Sequence, residues 1–334
     1  MKLSELGEFR LIKLLTKDLV CDPRGIIRGV GDDTAVLTTG AGVWLLFTTD
    51  MMVEGIHFSL DYSTWQQVGW KALAVNLSDI AAMGGRPTHA LVSLGIPQEL
   101  ESDALVDLYA GLREAVKKYR VNIVGGDTVS SPGQLVINVV LLGEVEAGKV
   151  VYRSGARPGD RVYVTGTLGA PAAGLYLFQS SGLSCAPEIA DYCRRAHTIP
   201  QPRVEAGSIL ARCGVSAMDD ISDGLASEMH EICDASGVGC IIREQSLPVD
   251  RRVKVVAGKA GVDLLEWVLF GGEDLELVFT AGPDAEKKME KVLAGKNIRI
   301  RNIGEIIASR KVMLERSNGE VVALPRGGYD HFLG

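Results

Sequence analysis

The chain is poor in the features that mark several common protein classes. Its longest apolar runs, Val43 to Phe47 and Leu135 to Leu142 (broken by Asn138), fall far short of the ~20 residues that a spanning helix needs. Met1-Lys2-Leu3-Ser4-Glu5 opens polar and amphipathic, unlike a secretory signal. Lysine and arginine form no stripe with interleaved aromatics, and the net charge is −7, so nucleic acid is not an expected partner. The six cysteines, Cys21, Cys185, Cys193, Cys213, Cys233 and Cys240, include no C-x-x-C pair and no histidine at zinc-ligand spacing. Idle thiols in a reducing cytoplasm are the expectation. Missing too are a G-x-x-x-x-G-K-[ST] loop, a protein-kinase H-R-D or D-F-G set, a G-x-S-x-G elbow and an H-E-x-x-H pair. Thr165-Gly166-Thr167-Leu168-Gly169-Ala170 comes near a phosphate loop but lacks its lysine.

What is present is an ordinary globular mixture, 46% hydrophobic and 23% charged, in 334 residues, a length that suits two cores. Leu6, Phe9, Leu11, Ile12, Leu14 and Leu15 fall close to helical spacing. The strand Val43–Phe47 runs into Thr48-Thr49-Asp50. Residues 64 to 83 read as a helix that stacks Val68, Ala72, Val75 and Asp79 on one face, and Gly84-Gly85-Arg86-Pro87 stops it. A helix over 101–119 and a strand over 121–124 follow, the strand ending in Gly125-Gly126-Asp127-Thr128. A strand over 135–142 closes this half. The polar stretch at 144–148 reads as a joint between domains 1–147 and 148–334. Beyond it, helices near 170–181, 203–213 and 224–234 mix with strands near 161–166, 239–242, 275–280 and 298–304. No regular βαβ beat appears, so the expected class is α+β in two domains.

Aspartates stand out by position. Asp32, Asp33, Asp50, Asp127 and the segment Asp219-Asp220-Ile221-Ser222-Asp223-Gly224 lie at turns or at the ends of apolar strands, and Asp79 lies near a helix end. Carboxylates beside a core must be paired, hydrogen-bonded or metal-bound. Few cations sit near them in sequence, and a cluster of this kind repels itself unless divalent ions neutralise it. Carboxylates with water and phosphate oxygens are what Mg²⁺ prefers. Each site has a plainer reading: Gly-Asp-Asp and Gly-Gly-Asp form turns, and Asp223 can start a helix as its cap. The joint pattern points to a multi-metal phosphate site and leaves the substrate open.

Several segments together resemble the thiamine-monophosphate kinase family, within the superfamily of aminoimidazole ribonucleotide synthetase and selenophosphate synthetase. They are Gly31-Asp32-Asp33, Thr48 to Phe58, Lys71 to Gly84, Gly125 to Thr128, Arg153 to Ala156, Asp220 to Leu225, Gly271 to Asp274 and Gly328 to Phe332. They run in the family's order along nearly the whole chain. The first three together are highly specific, whereas Gly-Gly-Asp-Thr alone is weak.

The resemblance implies an N-terminal α/β domain whose strands build a β-barrel across a homodimer, then a C-terminal α+β domain, with ATP between the two. It implies that Asp33, Thr48, Thr49, Asp50, Asp79, Asp127, Asp220 and Asp223 hold Mg²⁺, with Asp50, Asp127 and Asp220 at the chemistry. Gly126, Asp127, Arg153 and Ser222 would meet ATP, while His57, Glu273 and Tyr329 would face thiamine monophosphate. On their own residues, His57 reads equally as a histidine bonded to backbone, Tyr329 as a packing residue, Arg153 as a surface arginine and Glu273 as part of an exposed turn. Leu275 departs from the tyrosine usual in the family, and the doublet Asp219-Asp220 leaves the ligand position open by one residue; Asp220 keeps the spacing to Ser222 and Asp223. Cys21, in Val-Cys-Asp-Pro-Arg, lacks the glycine-rich, lysine-followed setting of a selenophosphate synthetase cysteine.

Overall fold

The computed structural model describes residues 8–332 apart from 18–19, 41, 181, 294 and 297. Helix α1 (Glu8–Leu15) covers the first periodic stretch, of which Leu6 lies outside the described residues. The N-terminal half is built on six strands: β1 (Ile26–Arg28), β2 (Ala35–Thr38), β3 (Val43–Val53), β4 (Arg86–Pro97), β5 (Asn122–Ser131) and β6 (Val136–Glu146). Their order is β1-β2-β3-β6-β4-β5, antiparallel except for the β4–β5 pair. Leu46, Thr48 and Met52 of β3 and Ile137, Val139 and Leu141 of β6 turn inward, the period of two that a one-sided sheet requires. Helices α2 (Trp65–Ala82) and α3 (Ser102–Tyr119) cover that face. Thr64 caps α2 in a reciprocal box with Gln67, which fixes where the helix begins. The two helices cross closely because Gly69 and Gly111 carry no side chain. A Cβ on Gly69 would lie 1.9 Å from the Leu108 carbonyl oxygen, and one on Gly111 would lie 1.8 Å from that of Gln66.

The opposite face of this sheet is uncovered. Met51 is 55% exposed, Val129 58% and Val124 62%, and Leu91 is exposed beside them. Among the described residues the sheet is open within one chain, with β1 and β5 as its edges, and forms no closed barrel. β5 also differs from the sequence expectation. It runs on through Gly125-Gly126-Asp127-Thr128 instead of ending there, because each of these residues pairs with β4, from Leu91 to Leu94. A Cβ on Gly126 would lie 1.8 Å from the Val92 carbonyl oxygen, so pairing at this depth requires glycine. β4 itself was hidden in sequence behind Arg86-Pro87, which reads only as a helix stop.

The C-terminal half carries seven strands: β7 (Arg161–Thr165), β8 (Ala217–Asp220), β9 (Gly239–Arg243), β10 (Leu277–Ala281), β11 (Ile300–Ile307), β12 (Val312–Glu315) and β13 (Val321–Ala323). They are ordered β13-β12-β9-β11-β7-β10-β8, with β9–β12 the one parallel pair among them. Helices α4 (Ala170–Gln179), α5 (Pro187–Thr198), α6 (Val204–Cys213), α7 (Leu225–Ser236), α8 (Arg251–Ala260), α9 (Leu264–Leu269) and α10 (Pro283–Leu293) surround it. Mixed strands and helices without a βαβ beat make both halves α+β. The halves are packed together: Ala81 and Ala82 of α2 share a core with Ile209 and Leu210 of α6 and with Phe279 of β10. Leu275 is fully buried and belongs to the N-terminal core, although it lies in the C-terminal half. Its φ of 48° and that of Glu273, 68°, are left-handed, a conformation that residues other than glycine adopt at a cost.

Candidate active site

Carboxylates from both halves meet where β3, α2 and β8 converge. Asp50 sits inside β3, its N–H bonded to Asn76 Oδ1 at 3.1 Å. Asp79, near the end of α2, accepts a hydrogen bond from the Thr48 hydroxyl. Asp33 comes from the turn before β2, and Asp219 and Asp220 are buried at the end of β8. Carboxylate oxygens of Asp33, Asp219 and Asp220 lie within 4.8 Å of one another. One cation enters this group. Arg153 pairs with Asp33 through Nη2 and reaches Asp219 Oδ2 through Nε at 3.0 Å, while its backbone N–H donates to Asp32 Oδ1 at 3.2 Å.

One guanidinium does not balance these acids. Burial and the neighbouring Asp33 push Asp50 up to about 6 and Asp220 up to about 7. Burial, then Asp50, raises Asp79 well above the carboxylate range, and burial raises Asp219 despite Arg153. Asp33 Oδ2, Asp50 Oδ2 and Asp219 Oδ1 are buried without a hydrogen-bond partner, and Asp219 Oδ2 meets only the Arg153 guanidinium. Oxygens stripped of water and left unpaired are costly, and a hard divalent cation would satisfy them. The donor set therefore fits Mg²⁺.

Asp223 and Ser222 follow on the loop before α7. Asp223 does not cap that helix, whose cap is Gly224 without a side-chain bond. Burial, with Glu8 next, pushes its carboxyl up to about 7. Its N–H is held by Glu228 Oε1 at 3.0 Å. Not every expected residue joins the cluster. The Thr49 side chain bonds Asn138 Oδ1 at 3.1 Å on the uncovered face of the sheet. Asp127 is exposed on the same face, three strands from β3 on edge strand β5, with Gly126 beside it. Three strand spacings put it about 14 Å from the Met51 row of β3.

A second group forms around His57 and Glu273. The Val53 N–H donates to His57 Nδ1 at 3.0 Å, the backbone contact that the sequence left open. Its other nitrogen faces His331 at 3.4 Å, and His331 meets the half-exposed Tyr329 ring edge-on at 4.8 Å. Glu273 is no simple turn residue: one oxygen meets Lys71 Nζ at 2.5 Å and the other His197 Nδ1 at 2.8 Å. Burial works against its charge, but Lys71 and His197 overcome it and hold the carboxyl down at about 2. The sequence left Asp219 open as an alternative to Asp220 and assigned no role to Glu228, Lys71, His197 or His331. Lys71 and His331 lie inside matched segments, whereas Glu228 and His197 sit in no motif and gave no signal.

Comparison with known proteins decides the family. Residues 31–145 match the AIR synthase related protein N-terminal domain, and residues 157–316 match its C-terminal domain. A Bacillus subtilis thiamine-monophosphate kinase is 38% identical over 98% of this chain and 100% of its own length. The chain belongs to the thiamine-monophosphate kinase family. It is thus an enzyme, a kinase that transfers a phosphoryl group. The Escherichia coli K12 member is 35% identical over 98% of both chains. A solved structure described as AaThiL complexed with AMPPCP and TMP is 35% identical, covers 99% of both chains and superposes with a TM-score of 0.87. The hydrogenase maturation protein HypE in complex with ATP, at 21% identity and a TM-score of 0.71, shares the fold. Among the described residues no helix is long and apolar enough to cross a membrane.

Proposed function

We propose that this kinase transfers the γ-phosphoryl group of ATP directly, in line, to the phosphate of thiamine monophosphate, giving thiamine diphosphate. The observation that carries this reading is the relative of matching length whose structure is described as complexed with AMPPCP and TMP. The buried, unpaired carboxylate oxygens of Asp33, Asp50 and Asp219 support a cation site between the two halves, with Asp79, Asp220, Asp223 and Thr48 around it. Bound there, Mg²⁺ would cancel repulsion between the anionic donor and acceptor. Arg153, anchored by Asp33 and Asp219, offers a forked guanidinium to the nucleotide phosphates beside Ser222. The acceptor is already an anion and needs no strong base. His57, Glu273 and Tyr329 are assigned to hold it: the half-exposed Tyr329 ring gives a face to the thiazolium cation, and the ionised Glu273 favours the same charge.

A division into a domain 1–147 and a domain 148–334 is part of the same proposal, supported by the gap between the end of β6 at Glu146 and the start of β7 at Arg161. The uncovered apolar face of the first sheet is read as the surface on which a second copy closes the barrel. That arrangement accounts for Asp127 and Thr49, which lie on this face away from their own chain's cluster, and for Gly126 on the same edge strand; they would serve the nucleotide site of the partner. Six free thiols fit a reducing cytoplasm. The deciding assay follows ADP and thiamine diphosphate released by purified protein with ATP and Mg²⁺. Equal amounts of both, appearing only when thiamine monophosphate is added, are expected. ADP release indifferent to that acceptor would sink the reading.

A further inference from the structure

We infer that Lys71 is a positioning residue for the acceptor, fixing Glu273 and His57 in place from a buried seat on α2. The side chain is 4% exposed, in a stretch of α2 that is buried all round, with Val68 and Ala74 one turn away on its own face. A lysine in such a place is costly, and a core built without the Lys71–Glu273 pair could be as stable or more so. What the ammonium does there is specific. It meets Glu273 Oε1 at 2.5 Å and donates to the His57 carbonyl at 3.0 Å. Those residues lie more than two hundred positions apart in sequence, one in each half of the molecule, and Lys71 is the point at which they are tied together.

Glu273 needs such a tie. Its backbone is left-handed at φ 68°, held by an N–H bond to the Ser222 carbonyl at 2.6 Å. Strain of this kind at a non-glycine residue persists where the surroundings over-determine it, and marks a position whose side-chain direction matters. His197 takes the other oxygen of Glu273 at 2.8 Å. Beside His197, Tyr62 stacks on Phe178 with centroids 4.4 Å apart, giving a flat wall next to the carboxylate. About a third of the Glu273 side chain stays open, so the carboxylate is clamped at its back and presented at its front. Lys71 itself does not reach the opening.

This inference rests on the acceptor assignment above, and the experiment separates the two. Binding of thiamine monophosphate is measured by calorimetry in the presence of Mg²⁺ and a non-hydrolysable ATP analogue, for wild type, Lys71→Met, Lys71→Arg, Glu273→Gln and the double variant Lys71→Met/Glu273→Gln. If the wild type does not bind the acceptor, the functional reading fails and Lys71 loses its purpose with it. With wild-type binding established, Lys71→Met is expected to weaken the acceptor by about tenfold or more while nucleotide affinity moves less than about twofold, and Lys71→Arg to recover part of the loss. The double variant strands no charge, so it folds even where Lys71→Met does not. It is expected to bind the acceptor no worse than Glu273→Gln alone. Wild-type acceptor affinity in Lys71→Met, equal losses for acceptor and nucleotide, or a double variant as weak as the product of the two single losses would each overturn the assignment.

Discussion

At the scale of single residues, the dominant fact is a surplus of negative charge in a dry place. Asp33, Asp50, Asp79, Asp219 and Asp220 share one arginine. Carboxyls raised to about 6 or 7 keep protons that the unfolded chain gives up near pH 4. The folded state then binds more protons than the unfolded state between those limits, and the metal-free protein loses stability as pH rises from about 4 to about 7. Melting curves at pH 5 and pH 8 should show this loss without Mg²⁺, and Mg²⁺ should raise the midpoint more at pH 8. Asp220→Asn should raise the metal-free midpoint by removing repulsion, yet abolish the Mg²⁺ response and lower turnover by about a thousandfold or more. A metal-free midpoint that falls, with the Mg²⁺ response kept, would count against Asp220 as a ligand. Legibility at this scale was uneven. Asp33, Asp50, Asp79 and Asp220 could be picked out because acids at strand ends and on an apolar helix face are conspicuous. Arg153, their counter-ion, is distant from them in sequence, and only the fold brings it to Asp33 and Asp219. Lys71 and His197 were silent for the same reason.

Among elements, α2 does the most work. It covers the first sheet, meets the second half through Ala81 and Ala82, and carries Lys71, Asn76 and Asp79. Its extent was readable from period and stop, since Val68, Ala72, Val75 and Asp79 recur at helical spacing and Gly84-Gly85-Arg86-Pro87 follows; the Thr64–Gln67 cap came from the structure. The closeness of α3 was not, because a glycine in a helix gives no hint of what lies against it. Gly111→Val should force the helices apart and cost about 3 kcal/mol in chemical denaturation. Leu275→Ala should cost a similar ~3 kcal/mol by opening a cavity where the C-terminal half plugs the N-terminal core. β5 shows the opposite limit. Gly125-Gly126-Asp127-Thr128 has the composition of a turn, and pairing with β4 overrides that local preference.

For the molecule as a whole, α+β character and two domains followed from length and from the absence of a βαβ beat. What lay beyond the sequence was which face of the first sheet stays bare. Val129→Lys, with its side chain on that face, should shift the protein to monomers in sedimentation runs while leaving its circular dichroism unchanged. A wild type that already sediments as a monomer would remove the barrel reading. The edge position of Asp127 also carries an arithmetic of its own. If each nucleotide site draws Asp50 from one chain and Asp127 from the other, two inactive proteins can repair one another. In a re-equilibrated equal mixture of Asp50→Asn and Asp127→Asn chains, half the pairs are mixed, and each mixed pair assembles one site with both defects and one with neither. About a quarter of wild-type activity should then appear from two dead samples, whereas sites confined to single chains would stay silent.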